Sequence, residues 1–550
     1  LKLSDLDGSA VDLLVIGGGI TGAGIARDAA MRGLATVLVD RGDLAAGTSS
    51  RSSRLVHGGL RYLEQGNVRL VREALQERAI LERIAPHLVR PIPFVFPLHE
   101  GDRVPRWKLA AGLAAYALLA GLRNVPRTRV LGKRGVLQLE PLVRERGLTG
   151  GALYGDAQCD DARLVIATAR SAVDHGARVL LHTAVTALVH EGGRIAGAAL
   201  EDHLSGATGT VRASVIVNAT GPWTDELRLM EDAASVPMLR LTRGTHVVVP
   251  RERIGHRHAI TFLSPIDGRV MFVLPWGDLS YIGTTDTDFA GDPARVAATA
   301  DDVVYLLRSA NALFPAARLT EDDVRSTWAG LRPLLAQHGA TPSAVSREHA
   351  LVSGAEGMLT IAGGKLTTYR AMAAATVDAV ARRLGRRLPR AATDVIPLPG
   401  GNAADLEPFR ARGAPLGLPP DVSDRLVDRY GTECAGIHNL GMKQRRLFDR
   451  LHPSHPAIEA EVLHAVRREL ALTVEDVLVR RLHLYYETRD HGLRATARVA
   501  ELMGGELGWD EARRQDEVTR YRRYVAQAET WRAGLTPPPP PPSGSPPRSR

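Results

Sequence analysis

Cysteine is nearly absent from this chain: Cys159 and Cys434 are the only two in 550 residues. That excludes a disulfide framework, a cysteine-rich zinc site and a cysteine-ligated iron–sulfur cluster. Lysine is almost as scarce. Lys2, Lys108, Lys133, Lys365 and Lys443 are five of 70 basic residues, so the basic character is carried by arginine. No apolar run reaches the ~20 residues needed to cross a bilayer. The one candidate, Leu109 to Leu122, is fourteen residues without a charge. No internal repeat and no metal-ligand cluster is visible, so no metal is expected. The opening residues Leu1-Lys2-Leu3-Ser4-Asp5 have no basic segment leading into an apolar run, which predicts no signal peptide and a cytoplasmic location.

What is present describes a globular protein. The hydrophobic fraction is 44% and the charged fraction 24%, which rules out a mostly disordered or fibrous chain. Glycine is enriched, 54 residues against a usual ~7%. The net charge is +9, but the arginines are scattered rather than gathered in a block. The scatter argues against nucleic-acid binding and leaves a preference for anionic substrates and surfaces.

The strongest motif is Gly17-x-Gly19-x-x-Gly22. It lies between an apolar run, Val11 to Ile16, and a helical pattern, Thr21 to Arg32; a second run, Thr36 to Val39, ends at Asp40. Glycines permit the tight turn and a close backbone approach to a pyrophosphate. The helix N-terminus favours its charge, and Asp40 can accept both ribose hydroxyls. Two later turns favour FAD over NAD. Val215 to Val217 breaks into Asn218-Ala219-Thr220-Gly221, and Gly363-Gly364-Lys365-Leu366-Thr367 precedes a helix whose N-terminus can stabilise negative charge on a reduced flavin. Together the three turns predict a discontinuous FAD domain.

Other segments read more simply. A charged helix is expected over 68–90, a helix over Ala162 to Asp174, and a hairpin about Gly277-Asp278. Past 390–402 the pattern turns helical, and Thr536 to Arg550 is a Pro/Ser/Arg-rich tail. The Leu109–Leu122 stretch, flanked by Arg103, Arg106, Lys108, Arg123, Arg127 and Arg129, fits either a buried core helix or a helix lying on anionic lipid. Arg61, Arg332 and Arg347 sit beside glycine or turn residues and suit phosphate recognition, although a solvated surface position is the plainer reading of any one arginine. His246 opens an apolar strand, as a general base or as a satisfied core histidine.

The segments VIGGGITGAGIARDAA, GTSSRSSRLVHGGLRYLEQG, VNATGPW, RGTHVVVP, FVLPW, YIGTTDTD, GLRPLL and AGGKLTTYR closely resemble, in order, those of the FAD-dependent glycerol-3-phosphate dehydrogenases. The likeness spans about residues 10 to 530. It implies an α/β FAD-binding Rossmann-like fold of the D-amino-acid-oxidase type, a β-rich substrate domain and an all-α C-terminal domain. It implies an FAD-dependent oxidoreductase region at 9–390, with an FAD part at about 9–67, 151–225 and 350–390 and a substrate part at about 68–150 and 226–349. A helical domain would follow at 391–535 and a disordered tail at 536–550. It also implies oxidation of sn-glycerol 3-phosphate to dihydroxyacetone phosphate, with electrons passed to a membrane quinone by a peripheral or monotopic protein on the inner face of the cell membrane. Residue by residue, Arg61, Tyr62, His246, Arg332, Arg347 and Lys365 fall in the family's substrate pocket. Thr48, Ser49, Ser50, Ser53, His57, Gly58, Gly59 and Leu60 fall in its flavin-contacting loop.

Two positions depart from the family pattern. Asp40 stands where Glu is common, and Leu482, in Arg480-Arg481-Leu482, stands where many members carry Thr; the latter lies in the C-terminal domain, apart from the chemistry. His246 is the first choice of base and Lys365 the second, with Arg332 and Arg347 on the phosphate. An oxidase that reduces oxygen to peroxide would use the same residues. A non-catalytic basic membrane- or nucleic-acid-binding protein is the alternative of another class, and it leaves the three glycine turns unexplained. The sequence leaves a homodimer open.

Overall fold

The computed structural model describes residues 2–59, 62, 67–121, 128–336 and 349–535. Leu60, Arg61, Arg347 and the 536–550 tail lie outside the described residues.

Two large sheets organise residues 10–363. The first has eight strands. At its centre Ala10–Ile16 pairs in parallel with Thr36–Val39 on one side and Thr208–Asn218 on the other. Leu359–Gly363 extends the parallel run beyond Thr208–Asn218. Central parallel strands are covered on both faces, and Leu13, Leu14 and Val15 are all fully buried. Helices Ile20–Met31, Asp161–Asp174 and Tyr369–Arg383 supply one cover, sharing a core with Leu13, Val15 and Val217. The second sheet has ten strands, built round the long antiparallel pairs of Val89–His99 with Leu148–Cys159 and of Leu239–Pro250 with Ser326–Leu335. Leu55–Val56 and the run to Cys159, both within the stretches the sequence division gave to the FAD part, pair in this second sheet.

The hairpin about Gly277-Asp278 forms, with Trp276 opposite Leu279. The charged helix is shorter than its pattern, Val68–Ile84. Asn67 caps its start by accepting from the Leu70 N–H. Pro86 disfavours helical backbone at Ala85, and the strand begins at Val89. The C-terminal region is helical, from Pro420–Tyr430 to Glu511–Ala528. It also carries a two-stranded ribbon, Arg450–His452 against His455–Ile458. Its core runs without interruption into the second sheet, joining Leu426, Leu463 and Tyr485 to Phe94, Tyr154 and Trp328.

The apolar stretch forms the helix Arg106–Ala120, with one buried face and one exposed face. Leu109, Leu113 and Tyr116 are buried. Trp107 and Leu118 are 73% and 83% exposed. At 100° per residue these two lie on one line of the helix, with exposed Ala111 and Ala114 between them. No helix among the described residues is long and apolar enough to cross a membrane.

Candidate active site

A cavity of about 870 Å³ runs between the two sheets, a size suited to a cofactor with a small substrate. Gly17, Gly19 and Asp40 line it, with Thr48, Ser49, Ser53 and His57. Ala219, Thr220 and Gly221 enter from one parallel strand, and Gly363 to Thr367 from the next. Tyr62, His246 and Arg332 line it as well. Gly22, Ser50, Gly58 and Gly59 are not among the lining residues.

The dinucleotide turn is tight where the sequence requires it. A Cβ on Gly22 would sit 1.8 Å from the Gly17 carbonyl oxygen. Gly17 has φ +114°, and its Cβ would meet the Ala219 carbonyl oxygen at 2.5 Å. Gly19 is different: the nearest atom to its Cβ is Ser49 Oγ at 3.3 Å, so the protein itself leaves that side open. Ser49 Oγ accepts from the Ile20 N–H, tying the serine loop to the helix start. Asp40 accepts from the N–H groups of Gly18 and Gly42 at 2.5 and 2.8 Å. Burial raises its pKa and those two donors oppose the shift. The glycine cradle, the carboxylate at the end of the second strand and the volume of the cavity together fit FAD.

Of the sequence's substrate candidates, Tyr62, His246, Arg332 and Lys365 line this same cavity. His246 is buried, and its Nε2 shares a 2.9 Å hydrogen bond with Ser53 Oγ. Its Nδ1 has no hydrogen-bond partner among the described residues. The ring stacks on Trp328, with centroids 4.9 Å apart. Gly283 makes room for it, since a Cβ there would fall 2.1 Å from the imidazole. Burial, then the cations Arg332 and Arg54, hold the His246 pKa well below its ordinary value, so the ring is neutral. Arg332 is no loose surface arginine. It donates to Asp286 Oδ1 at 2.9 Å, Thr284 Oγ1 at 3.0 Å and the Thr285 carbonyl. The Lys365 ammonium stands 3.5 Å from the Tyr62 ring centroid, a cation–π contact. Thr367 Oγ1 accepts from the His57 N–H, which docks the loop of His57 on the Lys365 turn.

Sequence reasoning missed a buried support beneath this site. Asp161 accepts from Ser52 through both its N–H and its Oγ and pairs with Arg54 at 3.6 Å. Burial lifts Asp161 to about 6, against the pull of Arg54. The Arg54 guanidinium lies 3.8 Å from the Trp276 ring and 5.1 Å from that of Trp328. Asp156 is a second such post, accepting from Tyr116, Arg78 and the Gly58 N–H. Asp156 lies within the strand Leu148–Cys159, and Asp161 just past it opens the helix Asp161–Asp174, where its only sequence signal was an ordinary helix start.

Fold and cavity define an FAD-dependent oxidoreductase. The family profile "FAD dependent oxidoreductase" matches residues 12–370, and that of the "C-terminal domain of alpha-glycerophosphate oxidase" matches 391–514. Glycerol-3-phosphate dehydrogenase 2 of Mycobacterium tuberculosis is 42% identical over 517 residues, covering 93% of this chain and 87% of that protein. The aerobic glycerol-3-phosphate dehydrogenase of Staphylococcus haemolyticus is 38% identical, covering 90% and 91%. The crystal structure of the glycerol-3-phosphate dehydrogenase from Bacillus halodurans, complexed with FAD, superposes with a TM-score of 0.81 at 34% identity, covering 96% of each chain. The chain belongs to the FAD-dependent glycerol-3-phosphate dehydrogenase family.

Proposed function

We propose that this protein oxidises sn-glycerol 3-phosphate to dihydroxyacetone phosphate and delivers the electrons to a membrane quinone. Family membership supports the substrate. The observation that carries the reading is that Arg332, His246 and Lys365 line the same cavity as the Gly17–Asp40 cradle. Bound FAD supplies the hydride acceptor for the hydrogen on C2. Arg332, held by Asp286 and Thr284, offers the phosphate a cation that needs no reorganisation. Arg61 and Arg347 would add to it. His246, neutral and oriented through Nε2 by Ser53, takes the C2 hydroxyl proton, with Lys365 as the second candidate. The division of the chain into an FAD and substrate region at 9–390 and a helical domain at 391–535 belongs to the same reading.

Turnover of glycerol 3-phosphate against a quinone analogue, oxygen and NAD is the direct test. Quinone reduction without matching peroxide supports the proposal, whereas one peroxide per substrate makes the protein an oxidase. Arg332→Ala should lower kcat/KM about tenfold to a hundredfold, since a charge-assisted contact is worth about 1.5–3 kcal/mol. Glycerol, without the phosphate, should lose little further in that variant. Wild-type kinetics on glycerol 3-phosphate would remove Arg332 from the site.

Quinone is lipid-soluble, and the exposed line from Trp107 to Leu118 is the surface we assign to an anionic bilayer. Trp107→Glu with Leu118→Glu should abolish liposome binding and quinone reduction. Melting temperature and activity with a soluble dye should survive. Leu119 is unsuitable for this test because it packs against the buried Tyr62 and Tyr116 cluster. Unchanged liposome binding would place the membrane contact elsewhere.

A further inference from the structure

The cavity is not built by the two sheets alone. Glu475 and Tyr524, from the C-terminal helices, also reach its wall. Beside Glu475 the chain makes one wide π-helical turn, Asp476–Arg481, and its side chains run to the back of the loop that carries Asp40. Asp43 Oδ2 accepts from Arg480 Nε at 2.5 Å and also from Arg481. Asp43, Arg480 and Arg481 are all buried, and 437 residues separate the first pair. A second link runs through His182, whose Nε2 lies 3.0 Å from Asp476 Oδ2. His182 sits in left-handed backbone at φ +52°, and its N–H donates to the Gly42 carbonyl at 2.7 Å. The next N–H, of Thr183, donates to the Asp40 carbonyl at 2.8 Å. Arg480 completes the set by donating to Glu475 and Asp476, both at 2.8 Å.

We propose that the Asp476–Arg481 turn is a clamp on the Asp40–Asp43 loop, through which docking of the C-terminal helices sets the affinity for FAD. Asp43, Arg480 and Arg481 do not line the cavity, so they act on the cofactor by positioning residues that do, Asp40 and Gly42 on the loop and Glu475 beside the turn. The cluster balances three acids, Asp43, Glu475 and Asp476, against Arg480, Arg481 and His182. Burial opposes the charge on His182, but Asp476 overrides it and lifts the imidazole to about 9. A non-Gly residue in left-handed backbone persists only where its surroundings over-determine it, and here the surroundings include the clamp. By reciprocity, any tightening of FAD binding by the docked helices must appear as an equal tightening of the docking by FAD.

The clamp presupposes FAD in the cavity, and a wild-type apoprotein that fails to take up FAD would overturn that assignment before any variant is made. The test is a flavin-fluorescence titration of apoprotein with FAD, for the wild type, Asp43→Asn, Arg481→Met and the double variant. Each single change should weaken binding tenfold or more. The double variant should weaken it by less than the product of the two. Single variants with wild-type affinity, or two independent effects, would overturn the clamp. Hydrogen exchange on the wild type gives a second reading in case a variant fails to fold. FAD should slow exchange across 472–482, and exchange unaltered by saturating FAD would overturn the proposal.

Discussion

Gly22→Val should purify as a colourless apoprotein. Even the first carbon of a side chain at this position would sit 1.8 Å from the Gly17 carbonyl oxygen, well inside van der Waals contact, and that atom is backbone and cannot rotate away. Relief requires Gly17 to move, yet Gly17 is pinned in turn. Its N–H donates to the Val39 carbonyl at 2.8 Å, and its open side is filled by Ala219. The turn must therefore open at the point where it approaches the pyrophosphate, and the helix N-terminus behind it swings off line. The contrast with Gly19 sharpens the expectation. Gly19→Ala meets only Ser49 Oγ at 3.3 Å, so the apoprotein should fold normally, with any loss confined to the FAD dissociation constant. The checks are the ratio of flavin to protein absorbance and the circular dichroism of each variant. A fully yellow Gly22→Val would show that the cofactor does not lie on this turn.

The sequence made the periodic parts legible. The strand, glycine turn, helix and second strand of residues 10–40 carry their own pattern, and so do the breaks after Asn218 and before Lys365. What stayed hidden depends on residues far apart in the chain. His246 was visible as a candidate, but its setting is made by Ser53, Trp328 and Arg54 from two other segments. Asp161 reads as one acid of a helix start, and only the fold turns it onto Ser52 and Arg54. Leu482 was set apart from the chemistry because it lies in the C-terminal domain, yet its neighbours Arg480 and Arg481 reach the loop next to Asp40. The ribbon at 450–458 has strands of three and four residues, too short for alternation to show.

His246→Asn should keep its FAD and lose about a hundredfold to ten-thousandfold in kcat, the usual worth of a positioned general base. The pH dependence separates this role from a merely structural one. Burial first, and then Arg332 and Arg54, depress the His246 pKa well below its ordinary value. The groups facing the ring are Ser53, Tyr281 and these two cations, with Asp286 paired to Arg332 and Asp161 to Arg54. The acid limb of kcat/KM for the wild type should therefore lie well below pH 6.5. The sign for stability follows from the same depression. Below about pH 6.5 the unfolded chain takes up a proton at this histidine that the folded chain refuses, so this group costs stability as pH falls, and the cost disappears above that range. Arg54→Met should move the acid limb upward, because a cation that opposed protonation is gone. Arg54→Lys should restore it. Asp161→Asn added to Arg54→Met removes the buried carboxylate left without its partner and keeps the shift measurable if the single variant is unstable. An acid limb that stays in place when Arg54 loses its charge would leave Lys365 as the base.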